Sequence, residues 1–170
     1  SEMCIRDRVK YRKSLFWRLY FAPYQIAQVR LWAYYVRRTL ILTNSTFSRS
    51  VIRDKLGRDA LVIYPPVDLG AFGPGRKEDL VLTVGRFTWE KRLDLVPEIA
   101  RAVPEARFVI AGSTAIGSRE IIRRIERAGA PNVEVRTDVP FGELRELYAR
   151  AKIYLHTMAA EHFGISVVEG

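Results

Sequence analysis

The sequence predicts an α/β protein built on parallel, Rossmann-like sheets, and three observations favour this class. Short apolar runs alternate with helical segments of about 10 to 13 residues in the second half of the chain, which is the pattern of βαβ units. A stretch rich in proline and glycine separates the two halves. Apolar residues make up 48% of the 170 residues, without a run long enough to span a bilayer. We therefore expect two halves separated by a linker, the second of which holds half or more of a doubly wound α/β domain.

The first domain is expected to cover residues 9–64. Its strands are predicted from apolar runs rich in β-branched residues, and its helices from the absence of internal glycine and from capping residues. In chain order these elements are a helix over residues 11–37, a strand over 39–43, a helix over 46–56 and a strand over 61–64. Pro23 is expected to interrupt the first helix. Asn44 or Ser45 is expected to cap the second helix, which ends at Gly57.

Residues 65–79 predict a linker, and residues 80–170 a second domain. The expected strands cover residues 79–86, 106–113, 133–136 and 153–156, and the expected helices residues 90–102, 118–128 and 143–151. Ligands of such sheets bind outside the carboxyl ends of the strands. The loops concerned follow Gly85, Ala111, Arg136 and His156.

The first eight residues, SEMCIRDR, are interpreted as a non-native artefact, because the string resembles a translated sequencing adapter. A natural charged N-terminus is the alternative. Cys4 is the only cysteine of the sequence, so neither an internal disulfide nor a cysteine zinc site is expected.

The net charge of +9 arises in one segment, residues 9–53, which holds nine basic residues, ten aromatic residues and no acidic residue. Basic and aromatic side chains together suit an anionic membrane surface. They also suit nucleic acid, which is the least favoured interpretation. A partly buried helix with a solvated basic face explains the pattern equally well.

The segment TVGRFTWEKRLD, residues 83–94, follows a predicted strand. Lys91 is expected in the first turn of the next helix, where the helix dipole disfavours a cation. Either Glu90 and Asp94 compensate for this charge, or a bound anion does. A diphosphate would accept paired hydrogen bonds from Arg86 and meet the point charge of Lys91.

The segment EHFGISVVE, residues 161–169, follows the last predicted strand. Residues 163–166 are expected to open a helix, so that their free backbone N–H groups would meet a phosphate or a sugar hydroxyl. Glu161 precedes this helix and Glu169 lies inside it, so the two carboxylates point to different places. Each suits a pair of sugar hydroxyls. The alternative is one solvated loop acid and one surface acid of a helix.

Together, VGRFTWEK and EHFGISVVE resemble the retaining family 4 glycosyltransferases of the GT-B fold, whose signature is Gly-Arg-x4-Lys followed by Glu-x7-Glu. The segments NSTFSRSVI, VIYPPVD and LHTMAAEHFGISVVE resemble more specifically the α-1,2-mannosyltransferases that extend lipid-linked oligosaccharides. The resemblance covers about residues 40–170. It implies that the chain is a truncated fragment, with the end of the N-terminal domain and most of the C-terminal, nucleotide-sugar-binding domain.

The resemblance also implies the roles of individual residues. Arg86 and Lys91 would neutralise the donor diphosphate, Glu161 would hold the donor sugar, and Glu169 the ribose. The loop at Asp138 and Val139 would line the base. The implied catalytic residues are Arg86, Lys91 and Glu161, and the implied donor-binding residues are Gly85, Arg86, Lys91, Val139, Glu161, Phe163, Gly164, Ile165, Ser166 and Glu169. No metal and no cofactor is expected, since these cations and the helix N-terminus would supply the positive charge.

The implied function is transfer of a hexose, with mannose from GDP-mannose the leading candidate, to a lipid-linked or other glycan acceptor with retention of configuration. The protein would be cytoplasmic and peripheral on a membrane through residues 9–53, with no nucleic-acid partner, and the chain as given would be inactive in transfer. Two alternatives stay open: a GT-B sugar-nucleotide epimerase, and a non-enzymatic module that binds membrane or nucleic acid.

Two histidines lie close to the second motif. His156 ends the last predicted strand, where a packed imidazole is favoured over an acid–base catalyst. His162 lies within the motif and is expected either to contact sugar or to face solvent.

Overall fold

The computed structural model describes residues 15–170. The chain divides into two compact units, Ser1–Ile63 and Tyr64–Gly170. The interpretation of residues 1–8 as an artefact, and the start of the predicted helix at residue 11, lie outside the described residues.

The first unit contains a long helix, α1 (Leu15–Val36), that continues through Pro23. The predicted interruption at Pro23 is therefore wrong. A proline removes one hydrogen bond from a helix. Because no glycine or second proline follows within this segment, α1 continues beyond Pro23. Many large apolar side chains of α1 are exposed, among them those of Tyr20, Tyr24 and Trp32. None of the described helices is both long and apolar enough to cross a membrane.

After α1 the first unit forms a small β–α–β arrangement. Strand β1 (Leu42–Thr43) pairs in parallel with β2 (Leu61–Val62), and helix α2 (Thr46–Leu56) connects them. Both strands are shorter than predicted. The Ser45 side chain accepts a hydrogen bond from the Ser48 N–H, and Gly57 adopts a left-handed φ of 62°. The predicted cap and helix end are confirmed.

The second unit is a four-stranded parallel sheet with the order β5-β4-β3-β6. The strands are β3 (Glu78–Val84), β4 (Arg107–Gly112), β5 (Val133–Thr137) and β6 (Ala151–Tyr154). The connecting helices are α3 (Val96–Ala102), α4 (Ser118–Arg127) and α5 (Phe141–Arg150), and a short helix α6 (Ile165–Glu169) follows β6. The predicted α/β class with a parallel sheet is confirmed.

Helices cover both faces of this sheet, because alternate residues of a strand point to opposite sides. One core cluster joins β4 to α3 and α4 through the buried side chains of Phe108, Ile110, Val96, Ile121 and Ile125. The other joins β3 and β4 to α5 through Leu80, Leu82, Val109, Leu147 and Tyr148. Two apolar layers therefore fix the sheet and leave its carboxyl edge to the loops.

The helix predicted over residues 90–102 is broken in the structure. Two single 3₁₀ turns, Trp89–Lys91 and Leu93–Leu95, precede α3, and Arg92 between them has a left-handed φ of 51°. Proline near the first helical position favours a helix start there, and Pro97 occupies that place. Lys91 consequently lies in a turn and not at the N-terminus of an α-helix, so the dipole argument does not apply to it.

The segment predicted as a linker, residues 65–79, lies entirely within the second unit. Glu78 and Asp79 are the first residues of β3. The Phe72 ring packs edge-on against Tyr148, with ring centroids 5.3 Å apart. This segment is therefore anchored on the sheet domain and is not a free connection.

Gly112, at the end of β4, lies against the backbone of the neighbouring strand. A Cβ atom at this position would be 1.7 Å from the Gly85 carbonyl oxygen. We expect Gly112→Ala to lower the free energy of unfolding by about 2 to 4 kcal/mol, since backbone has to move to remove the clash. Urea denaturation followed by circular dichroism measures this change.

Gly142 in α5 is the matched control, because a Cβ there meets no atom within 4 Å. Gly142→Ala is expected to leave stability unchanged or to raise it by about 0.5 kcal/mol, as alanine favours a helix. Equal effects of the two substitutions would contradict the steric explanation.

Candidate active site at the carboxyl edge of the sheet

The loops after β3 and β6 meet because these strands are parallel neighbours in the sheet. Beyond the paired residues, the Leu155 N–H donates to the Leu82 carbonyl at 2.8 Å. The Thr157 hydroxyl then donates to the Lys91 carbonyl at 2.6 Å. The second bond holds the turn that carries Lys91 against the loop that leads to Glu161.

The centre of the candidate site is an ion pair between Lys91 and Glu161. The Lys91 ammonium donates to Glu161 Oε2 at 2.5 Å, and the two side chains are only 19% and 22% exposed. Burial raises the pKa of Glu161, but the hydrogen bond and charge of Lys91, together with His156, outweigh it and hold this pKa below its usual range. Glu161 is therefore an ionised acceptor at neutral pH.

His156 lies on the other side of the same carboxylate. Its Nε2 atom is 3.7 Å from Glu161 Oε2, which is beyond hydrogen-bond distance. This nitrogen is buried and has no hydrogen-bond partner within the described residues. His162 is exposed, and its backbone N–H donates to Glu161 Oε1 at 3.2 Å.

Glu169, the last residue of α6, is held by a tyrosine of α5. The Tyr148 hydroxyl lies 3.1 Å from Glu169 Oε2 and 2.9 Å from the Ser166 carbonyl, and shares its proton between them. Burial, Tyr154 and Glu169 all raise the pKa of Tyr148, so the phenol stays protonated and neutral. The Glu169 carboxylate thus has a fixed direction.

The turn between Glu161 and α6 depends on Gly164. This residue is buried, has a left-handed φ of 73°, and caps α6, which begins at Ile165 and not at Phe163 as predicted. A Cβ atom on Gly164 would be 2.9 Å from Glu161 Cγ. The Phe163 ring packs on Tyr64, with ring centroids 5.8 Å apart, so this part of the motif is anchored by an aromatic contact.

Arg86 is not joined to the Lys91–Glu161 pair by a direct contact. Its guanidinium forms an exposed ion pair with Glu90 at 3.6 Å, and Asp94 pairs instead with Arg124 of α4 at 3.1 Å. The interpretation that Glu90 and Asp94 compensate for the charge of Lys91 is therefore wrong, because Glu161 is the acid that pairs with Lys91.

The loop after β5 reaches the same edge of the sheet. Asp138 has a left-handed φ of 53°, and its carboxylate accepts hydrogen bonds from the backbone N–H and the hydroxyl of Thr114, at 2.8 and 3.0 Å. Val139 is partly buried and packs against the core cluster that includes Leu147. The structure therefore gives Asp138 and Val139 structural contacts, and contact with a base stays a prediction.

The family model that describes the glycosyl transferases group 1 matches residues 70–170. The chain belongs to this family. Both sequence motifs, and all four strands of the described sheet, lie within the matched range.

Group 1 glycosyltransferases among the curated proteins match the chain over most of its length. The human protein named GDP-Man:Man(3)GlcNAc(2)-PP-Dol alpha-1,2-mannosyltransferase is 30% identical over 157 residues, covering 76% of this chain and 31% of the relative. A component of the phosphatidylinositol N-acetylglucosaminyltransferase of Arabidopsis thaliana is 24% identical over 144 residues, covering 79% of this chain and 32% of the relative. The chain thus spans about a third of the length of these relatives.

Solved group 1 structures share the fold. The HepE protein of Anabaena, crystallised in complex with UDP and glucose, superposes with a TM-score of 0.64 at 21% identity, covering 76% of this chain and 41% of that one. The GT-B class predicted from the motifs is confirmed.

The sequence pointed to Lys91, Glu161 and Glu169 as candidates but not to Tyr148 and Thr157, which contact two of them. Tyr148 contacts Glu169 from 21 positions away, and Thr157 contacts Lys91 from 66 positions away. The only available signal was the place of Thr157 directly after a predicted strand. Within residues 15–170 no group of three or more metal-binding side chains is placed to hold an ion, and metal independence stays a prediction.

The lowered pKa of Glu161 predicts a pH-dependent contribution to stability. A depressed carboxyl pKa stabilises the folded state above the ordinary value of 4.5, and this contribution is lost as the pH falls through the lowered value. We expect Glu161→Gln to lower the free energy of unfolding by about 1 to 2 kcal/mol near pH 7. This difference should shrink below pH 4.5, as measured by urea denaturation across the pH range.

Glu105→Gln, at an exposed position before β4, is the control and should show a difference close to zero at every pH. A Glu161→Gln difference that stays constant from neutral pH to the acid limit would contradict the ion-pair explanation.

Proposed function

We propose that this chain binds a nucleotide sugar, with GDP-mannose the leading donor, and that its protein transfers mannose with retention to a lipid-linked glycan. The observation that carries the proposal is the buried Lys91–Glu161 pair at the carboxyl edge of a sheet that belongs to a glycosyltransferase family. Ligands of parallel sheets bind at this edge.

In this proposal Lys91 stabilises the charge that develops on the diphosphate leaving group. Its ammonium is already placed in a partly buried position, so no large reorganisation is needed when the phosphate charge grows. Arg86, which is 59% exposed, would leave Glu90 and add a planar, paired contact to a phosphate. The backbone N–H groups of residues 163–166 would complete the anion contacts.

The two glutamates hold hydroxyl groups in this proposal. Glu161 is kept ionised by the hydrogen bond and charge of Lys91, which makes it an acceptor for sugar hydroxyls and a poor general acid. Glu169 is oriented by the neutral Tyr148 phenol, which leaves lone pairs of the carboxylate for the ribose hydroxyls. Neither acid is assigned as a nucleophile in this proposal, and retention of configuration is carried over from the resemblance to the retaining family 4 enzymes.

The choice of mannose and of a lipid-linked acceptor is supported by relatives and by composition. The human relative named above carries GDP-Man and PP-Dol in its name, and the Arabidopsis relative carries phosphatidylinositol. Residues 9–53 add basic and aromatic side chains without an acid, which suits attachment to the cytosolic face of a membrane. An epimerase or a purely binding module is not favoured, because neither explains the named transferase relatives.

Isothermal titration calorimetry with GDP-mannose, UDP-glucose and UDP-N-acetylglucosamine tests the donor directly. We expect GDP-mannose to bind most tightly, with equal affinity in EDTA and in magnesium. Lys91→Met should raise its Kd about 10- to 100-fold, because a charged hydrogen bond contributes about 1.5 to 3 kcal/mol. Lys152→Met is the matched control. Lys152 lies at the start of β6, at the edge of the sheet opposite the candidate site, and pairs with Asp79.

Failure of all three donors to bind would overturn the proposal. Preference for a UDP sugar would keep the transferase and change its donor, and dependence on magnesium would overturn metal independence alone.

The hydrogen bond from Tyr148 predicts a second effect on the donor. Tyr148→Phe removes the hydroxyl that holds Glu169, so donor Kd should rise about 5- to 10-fold with a loss of about 1 kcal/mol in stability. Tyr24→Phe is the control, because the Tyr24 side chain lies on α1 and is exposed. Calorimetry should show unchanged donor affinity for Tyr24→Phe, and equal losses in both variants would contradict the role assigned to Tyr148.

A further inference from the structure

One carboxylate oxygen of the candidate site faces two nitrogen atoms. Glu161 Oε2 accepts a hydrogen bond from Lys91 Nζ at 2.5 Å and lies 3.7 Å from His156 Nε2. Lys91 Nζ is within hydrogen-bond distance of this oxygen. His156 Nε2 is buried and has no hydrogen-bond partner within the part of the chain that the structure describes. A shift of less than 1 Å would bring it into contact.

The Glu161 carboxylate is only 22% exposed and depends on a partner. A buried charge that loses its partner is strongly destabilising. If a diphosphate binds at Lys91, as proposed above, the ammonium is divided between the phosphate and Glu161. Binding of the donor therefore weakens the contact that neutralises this carboxylate.

His156 is the group able to restore that neutralisation. Histidine changes its charge near neutral pH, and an imidazolium donates from both ring nitrogens. Two changes favour its charged form when the donor binds: Glu161 is released from Lys91, and the negative diphosphate arrives close by. Both act in the same direction, so the linkage is uptake of a proton and not its release.

Other charged and titratable groups on the elements that form this edge of the sheet make contacts elsewhere. In the turn after β3, Arg86 pairs with Glu90. On α6, Glu169 is held by Tyr148, and on β6 the Tyr154 hydroxyl donates to the Val84 carbonyl. His162, in the same loop as Glu161, has an exposed side chain. Lys91 and Glu161 are therefore the charges that respond directly to His156.

We propose that His156 takes up a proton from solvent when a nucleotide sugar binds, and that it replaces Lys91 as the counter-ion of Glu161. The inference rests on the proposed function. His156 acts as a positioning residue: it keeps Glu161 ionised and in place while Lys91 is turned to the diphosphate.

Proton uptake is measured by titrating the chain with GDP-mannose in buffers of different ionisation enthalpy. The diphosphate diester of this donor does not titrate near neutrality, so protons come from the protein. At pH 7.5 we expect uptake of roughly half to one proton per donor, and a Kd that rises by up to about tenfold per pH unit above neutrality.

The chain contains two histidines. Substituting each one in turn therefore assigns the proton uptake to one residue. His156→Gln should bind the donor with almost no proton uptake and a flat pH profile, whereas His162→Gln should behave like the wild type. Because His156→Gln disturbs a packed position, the wild-type imidazole is also followed by NMR. At pH 7.5 its ring resonances should move toward those of an imidazolium on addition of GDP-mannose.

Donor binding without proton uptake, or uptake that persists in His156→Gln, would overturn the inference and leave the proposed function intact. Absence of donor binding by the wild type would overturn the proposed function, and the inference with it.

Discussion

The parallel pairing of β3 with β6 is the constraint on which the candidate site depends. Val81 pairs with Ile153 and Leu82 with Tyr154, so the chain leaves both strands at the same edge and level. Two side chains 70 positions apart, Lys91 and Glu161, thereby come within 2.5 Å of each other. The aromatic and aliphatic layers on both faces hold the strands in this register, and the chemistry of the edge follows from the packing beneath it.

The two acids of the second motif are neutralised in different ways. Glu161 has a cation as its partner, so the pair carries almost no net charge. Glu169 has a neutral phenol as its partner. The same residue type therefore provides an ion-paired carboxylate before α6 and a hydrogen-bonded carboxylate at the end of α6. The difference arises from α5, whose buried Tyr148 is held protonated by its surroundings.

The sequence allowed the fold class, the strand order along the chain and the two motifs to be predicted, because periodicity and capping are local signals. It identified Ser45 and Gly57 correctly for the same reason. The neighbours of each strand in the sheet, and hence the contacts of Tyr148 and Thr157, depend on long-range pairing that no local pattern encodes. The break before Val96 was missed because apolar spacing alone does not separate an α-helix from successive 3₁₀ turns. At Pro23 the error is of another kind: the local rule that proline interrupts a helix predicted a break that α1 does not have.

The first residues of the second unit, 64–72, determine where the chain could be joined to another protein. Tyr64 packs on Phe163, and Phe72 packs on the same tyrosine that orients Glu169. This stretch looks like an exchangeable connector in the sequence, yet its rings support both ends of the second motif. A chimera that joins this sheet domain to a foreign first unit therefore has to place its junction between Ile63 and Tyr64. A junction after Phe72 would replace two supports of the site while leaving every residue of the motifs unchanged.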